Sequence, residues 1–140
     1  MLQVSYQGLD ETEQDIFLDL ACFFKGLYKD YVVNILNSCN LYLVIGIKKL
    51  IDKCLITIDQ FNKLWMHDLL QQMSREIVRQ ESPQIPGLCS RIWHYKDACE
   101  VLMENKVYLR FIHLFAFFHR ENLMTLFFGF FLDIVFFLYL

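Results

Sequence analysis

The chain has 140 residues and a formal net charge of −3, from 13 Lys plus Arg against 16 Asp plus Glu. That balance gives no general electrostatic case for nucleic-acid binding, and the length suits one small domain with some extra chain. Hydrophobic content is 56% and unevenly spread: of 14 Phe, ten lie from Phe111 onward, so an ordinary domain is expected before that point and something different after it.

The segment from Met1 to Asp15 has no basic region followed by an apolar one, so no signal peptide is expected. Asp10 opens the first predicted helix, with Glu13 at the capping-box position. Ile16, Phe17, Leu20, Phe23 and Phe24 follow at helical spacing and face inward, with Glu13, Gln14, Asp15 and Asp19 outward. Gly26 ends the helix as a C′ glycine. A second short helix starts at Asp30, with Tyr31, Val32, Ile35 and Leu36 inward, and Asn37, Ser38, Cys39 and Asn40 break it. The third helix runs from about Val44 to Lys53. Its apolar stripe is Ile47, Leu50, Ile51 and Cys54, and its wet side is Lys48, Lys49, Asp52 and Lys53. Gly46 costs that helix roughly 1 kcal/mol against Ala and would permit a close helix crossing. Leu55 to Ile58 is a β-branched strand, Asp59 to Asn62 a turn and Lys63 to His67 the return strand.

The return strand runs straight into an amphipathic helix from Asp68 to about Glu81. Alternation puts Leu64 and Met66 on one face of the strand and Trp65 and His67 on the other. Asp68 is expected to cap the helix, with Gln71 as its capping-box partner. Leu69, Leu70, Met73, Ile77 and Val78 form one stripe. His67 thus stands where a rigid strand meets a helix N-terminus, a place of partial positive charge that suits an anion. A histidine there is either a polar plug in a small core or a contact to something negatively charged.

Three helices, a small β-hairpin and a fourth helix make a mainly α winged-helix fold, a helix-turn-helix relative, over residues 1–82. Residues 83–106 read as a linker, with Pro83 and Pro86-Gly87, order resuming at Arg91-Ile92-Trp93, and a short helix from about Lys96 to Glu104 with Ala98, Val101 and Leu102 inward. Residues 107–140 are an apolar tail. Within it, residues 123–140 carry one charge, Asp133, and reach the lower end of transmembrane length. Of the five Cys, Cys22 and Cys54 are expected as small core residues, and no zinc spacing links any pair, which implies a reducing compartment and no metal.

Several stretches together resemble the winged-helix (ARC2) part of the nucleotide-binding NB-ARC module in plant TIR-type nucleotide-binding leucine-rich-repeat disease resistance proteins. Ser5-Tyr6-Gln7-Gly8-Leu9 fits the family's SYDGL start, with Gln7 in place of Asp. Asp15 to Phe24, DIFLDLACFF, fits the motif on the first winged-helix helix. Ile45-Gly46-Ile47 through Leu50, then Asp52 to Ile56, fits the third helix and first strand, where Ser is commoner than Cys54. Met66-His67-Asp68 matches the MHD motif, and Pro86-Gly87, Ser90-Arg91 and Trp93 fit the segment leading towards the repeats. The resemblance covers roughly Leu2 to Lys106. It implies that His67 contacts the ADP phosphate in a resting receptor, supported by Met66 through packing and by Asp68 through capping, and that exchange of ADP for ATP releases the winged helix. It also implies a cytoplasmic signalling protein of plant defence, whose partners are a nucleotide-binding domain and leucine-rich repeats.

The 140 residues contain no G-x-x-x-x-G-K-[ST] loop, TIR domain or repeat, and the tail departs from the family. A truncated piece of a receptor is therefore expected, with ADP or ATP bound only in the context of a full receptor and not by the chain alone. No enzyme is expected, since neighbouring strand residues His67 and Asp68 point to opposite faces and no nucleophile has a recognisable setting. One alternative is a DNA-binding winged helix using Lys48, Lys49 and Lys53, although no Arg there offers bidentate base contacts. Another is a membrane-associated receptor fragment anchored through the tail.

Overall fold

The computed structural model describes residues 2–37, 41–85, 88–94, 96, 97 and 100. The expected helix over 96–104, the break at Ser38 to Asn40 and the apolar tail with its candidate membrane helix lie wholly or largely outside these residues. Among the described residues, no helix is long and apolar enough to cross a membrane.

A short helix, α1 (Leu2–Gln7), precedes the one that the sequence opens at Asp10. It is joined to α2 (Glu11–Asp19) through Gln14, whose Nε2 donates to the Tyr6 carbonyl at 3.4 Å and to the Leu9 carbonyl beyond α1 at 3.2 Å. Asp10 and Glu13 form the expected capping box: the Asp10 carboxylate accepts from the Glu13 N–H at 2.8 Å, and the Asp10 N–H donates back to Glu13 at 3.2 Å. The helix then widens into a π-helical segment, Leu20–Phe24, whose five residues are all buried. Extended Lys25, at φ −58 and ψ 128, ends the helix, and Gly26 is not the expected C′ cap: its φ of +85 serves a type II turn that the Leu27 N–H closes on the Phe24 carbonyl at 3.2 Å.

The second predicted helix is α3 (Lys29–Asn37), with Val32 fully buried. The third is α4 (Leu41–Asp52), which begins three residues before its expected start. Ile47 and Leu50 are fully buried beneath it. It lies so close to α2 that a Cβ on Gly46 would stand 2.4 Å from Ile16 Cδ1. Gly46 thus offsets its poor helix propensity by letting the two helices approach, as the sequence suggested.

Cys54 corrects the sequence reading. It is exposed, with φ +59, and lies beyond the end of α4. Its N–H donates to the Ile51 carbonyl at 2.9 Å, and the Leu55 N–H reaches back to the Leu50 carbonyl at 3.0 Å. Those two bonds define a Schellman cap with Cys54 at the left-handed position, and buried Leu50 and Leu55 supply its apolar partners. The chain reverses one residue before the helical stripe would have placed Cys54 in the core.

Only the centre of the predicted hairpin is regular strand: β1 (Thr57–Ile58) pairs antiparallel with β2 (Leu64–Trp65), Thr57 opposite Trp65 and Ile58 opposite Leu64. Asp59 organises the turn, accepting from the N–H groups of Phe61 and Lys63 and from Trp65 Nε1 at 2.7 to 2.9 Å. Those donors, the Lys63 N–H foremost, hold its carboxyl below the usual aspartate value. On the other edge of β2, Tyr28 makes an isolated bridge with Lys63, and the Leu64 N–H donates to the Leu27 carbonyl at 2.9 Å. The sheet is therefore clamped to the chain that follows α2. The last helix, α5 (Asp68–Glu81), ends where the sequence placed its end. Its buried Leu70 and Val78 join Phe17, Phe23, Phe24, Ile47, Leu50 and Leu64 in one core.

Candidate functional site

The candidate site is the joint between β2 and α5. Leu64 is 2% exposed and Met66 7%, while Trp65 and His67 lie on the outer face, as strand alternation requires. Buried Met66 anchors the joint from below. His67 is exposed, so the joint places it at the surface and not in the core as a plug.

His67 itself caps α5. Its backbone is extended, at φ −62 and ψ 140, and its Nδ1 accepts from the Leu69 N–H at 3.2 Å. Its carbonyl receives the N–H groups of Leu70 and Gln71 at 2.9 and 3.1 Å. The sequence assigned this cap to Asp68, with Gln71 closing a capping box. Instead, Asp68 is the first residue of the helix, and its carboxylate is paired with the Lys25 ammonium group. That hydrogen bond and charge hold the Asp68 carboxyl below its ordinary range. Gln71 faces the same way: its Oε1 accepts from Lys25 Nζ at 3.3 Å and its Nε2 donates to the Ala21 carbonyl at 3.0 Å. Lys25, just past the π-helical segment, thus draws both side chains across to the preceding helix and leaves the cap to the imidazole.

This geometry fixes the chemistry of the ring. An Nδ1 that accepts from a backbone N–H carries no proton, so the neutral imidazole has its proton on Nε2. Nε2–H is then a directed donor at a positive helix end. The Asp68 side chain is 91% exposed and would repel an anion, but Lys25 balances its charge. One further correction concerns the stripe of α5. Leu69 is 55% exposed and flanks His67 at the surface, while the fully buried inward place goes to Ser74, whose hydroxyl donates to the Leu70 carbonyl at 2.7 Å.

Two charged clusters escaped the sequence reading. Glu13, expected to face out, is 4% exposed and lies between Lys53 Nζ at 2.9 Å and Lys49 Nζ at 3.1 Å. The Lys53 hydrogen bond, against the opposing effect of burial and with help from Lys49, lowers its carboxyl to about pH 2. The signal was present as Lys49 and Lys53, one helical turn apart on the helix that faces Glu13. Their engagement removes two of the three lysines that a DNA-reading α4 would offer.

Arg91 is the second. It is 3% exposed, and its Nε donates to Asp19 at 2.6 Å. Its Nη2 donates to the Asp15 carboxylate at 3.2 Å and to the Asp15 carbonyl at 3.0 Å. Burial is the largest influence and pulls the guanidinium down, but the Asp19 charge and the hydrogen bonds to Asp19 and Asp15 together outweigh it and the net direction is upward. Asp15 and Asp19 therefore do not simply face solvent. Among the described residues, no group of three or more His, Cys, Asp or Glu side chains could hold a metal ion.

Comparison with known proteins agrees with this fold. Residues 10–82 match the family described as the winged-helix domain of Roq1-like disease resistance proteins. The chain is 53% identical over 100 residues to Disease resistance protein RUN1 of Vitis rotundifolia, covering 71% of this chain and 7% of that protein. It is 43% identical over 104 residues to TMV resistance protein N of Nicotiana glutinosa, covering 74% and 9%. It is 46% identical over 101 residues to Disease resistance protein RPP2A of Arabidopsis thaliana, covering 72% and 8%. The chain thus spans under a tenth of each of these relatives.

Proposed function

The chain belongs to the winged-helix family of Roq1-like disease resistance proteins, and from that membership we propose that it is the regulatory latch of a nucleotide-dependent plant immune receptor. In this reading the winged helix packs against a nucleotide-binding domain in the resting receptor, and His67 donates from Nε2 to a phosphate oxygen of ADP held mainly by that domain. The observation that supports it is the capping bond from the Leu69 N–H to His67 Nδ1. That bond fixes the tautomer and aims the remaining donor outward before any ligand arrives. Met66 supports the site by packing and Asp68 by its pairing with Lys25, in place of the cap first expected of it.

The residues suit an anion. An imidazole N–H at the start of a 14-residue helix offers a donor, and the one nearby carboxylate is balanced by an ammonium group. A single donor does not replace a cradle of backbone N–H groups, and no phosphate-binding glycine loop occurs in the 140 residues. In this reading the chain alone holds no nucleotide and carries out no reaction of its own, and it works in the cytoplasm beside the domains of a complete receptor. Calorimetric titration of the chain with ADP should show no binding, and micromolar affinity would contradict this part.

The decisive test is His67→Ala in a receptor rebuilt around this segment. A charge-assisted hydrogen bond present only in the closed state contributes about 1.5–3 kcal/mol. Its loss shifts a two-state ratio by roughly ten- to a hundredfold towards the open form. Cell death in leaf tissue without a trigger is expected. A silent receptor containing a well-folded His67→Ala domain would sink the latch reading.

A further inference from the structure

Beyond Glu81 the chain does not simply leave the domain. Ser82 ends α5, and exposed Pro83, Gln84 and Ile85 carry the chain away from it. Residues 88–93 then return and lie back against α2 and α5. Several ties hold them, one of them the Cys89 thiol donating to the Ser82 carbonyl at 3.6 Å. The Ser90 N–H and hydroxyl donate to the Glu81 carboxylate at 2.5 and 2.8 Å. The Arg79 guanidinium stacks over the Trp93 ring at 5.6 Å. Arg91 reaches under both to Asp15 and Asp19 on α2, flanked by buried Cys89 and Ile92. Arg79, Pro83, Cys89, Ile92 and Trp93 line a groove of about 360 Å³ beside this return.

The ties are of two kinds. Cys89 and Ile92 join the apolar core shared by α2, α4 and α5, and a charged group holds the segment between them. The return segment is anchored by a buried cation whose two carboxylates are unequally sheltered: the Asp19 side chain is 14% exposed and Asp15 59%. A buried ion pair adds little net stability but is costly to break one partner at a time. Water already reaches the Asp15 edge, so the guanidinium can exchange that partner for solvent as the segment lifts. The exposed chain at Pro83 to Ile85 lets it lift without unwinding α5.

We propose that Leu88–Trp93 is a separately releasable strap, latched to α2 by Arg91 through Asp15 and Asp19, and that its release carries tension on the downstream chain into the winged helix. The second half rests on the receptor reading above. The first does not, since it concerns this chain's own residues.

Cys89 is the natural probe, being in the strap and buried. The full chain, wild type and Asp15→Asn/Asp19→Asn, is pulsed with N-ethylmaleimide and labelling at Cys89 is read by peptide mass spectrometry. Amide exchange across Ile47 to Leu50 on the same samples reports opening of the core. Cys89 labelling is expected to rise at least tenfold while core exchange changes less than twofold. If the double variant is too unstable, Asp19→Asn alone should show the same order. The criterion for either is a rise at Cys89 at least fivefold greater than the rise in the core, and any smaller ratio overturns the strap. In the rebuilt receptor, Asp15→Asn/Asp19→Asn should signal without a trigger even with His67 intact. An opened strap in a silent receptor would overturn the coupling alone and leave the nucleotide reading of His67 to its own test.

Discussion

The seam between α2 and α4 and the joint between β2 and α5 both gather charge, and they use it in opposite ways. At the seam, Glu13 is enclosed and meets Lys49 and Lys53 on its two oxygens, so its hydrogen-bonding capacity is turned inward. At the joint, Lys25 binds Asp68 and Gln71, and the imidazole of His67 is held by one nitrogen and exposed by the other. The difference teaches where to look for function. Groups satisfied by one another define the fold, whereas a donor that the fold fixes but does not use is available to a partner.

The comparison breaks most easily at the seam. Leu50 is fully buried and also closes the Schellman cap, so Leu50→Ala should cost roughly 2–5 kcal/mol and unfold a domain this small at moderate temperature. Circular dichroism melts check it. A loss below about 1 kcal/mol would mean that the seam is not the structural centre.

The charge at the seam gives a pH signature. Glu13 is lowered from the ordinary glutamate value of 4.5 to about 2 in the folded chain. Its contribution is therefore fully present above about pH 4.5 and is lost as pH falls towards 2. Acid unfolding of wild type should steepen through that window, and Glu13→Gln should flatten the slope there. An unchanged slope would show that the two lysines do not engage Glu13 in solution.

The joint should respond far less. His67→Ala removes one capping bond at an exposed position and should cost about 0.5–1 kcal/mol, with no change in the shape of the melt. A loss as large as that of Leu50→Ala would make His67 structural and erase the distinction between the two regions.

Much of this was legible in the sequence. The stripe of α2, Ile47 and Leu50 of α4, and the inward Leu64 and Met66 followed from spacing, Pro83 marked the end of α5 at Glu81, and Gly46 permitted the close crossing without requiring it. What spacing could not give was which distant groups would meet. Asp68 has the better capping chemistry, and only the approach of Lys25 from 43 residues away takes it out of competition. Arg91 reaches Asp19 across 72 residues, and nothing local to either marks the pairing. Leu69 failed for a different reason: the buried line of α5 is Leu70, Ser74 and Val78, and helical phase puts Leu69 well to one side of it, so a stripe that admitted every apolar residue was drawn too wide.

An effect as small as that of His67→Ala but of opposite sign tests the reading of the chain between the two regions. Cys54 holds φ +59 at the end of α4, a conformation in which the Cβ of an L-residue crowds the following carbonyl. Glycine has no Cβ and meets the same backbone without that conflict, and this is why glycine dominates the left-handed position of the Schellman cap. The Cys54 side chain is exposed, so removing it sacrifices no core contact. Glycine does give the unfolded chain more freedom, which offsets part of the gain. The balance for Cys54→Gly should be a stabilisation of about 0.5–1 kcal/mol. Were Cys54 a core residue on the α4 stripe, as its spacing suggests, the same substitution would open a cavity and lower the melting temperature instead. Paired melts of wild type and Cys54→Gly therefore decide, by sign alone, whether the chain turns at Cys54 to deliver Leu55 and Ile56 to the hairpin.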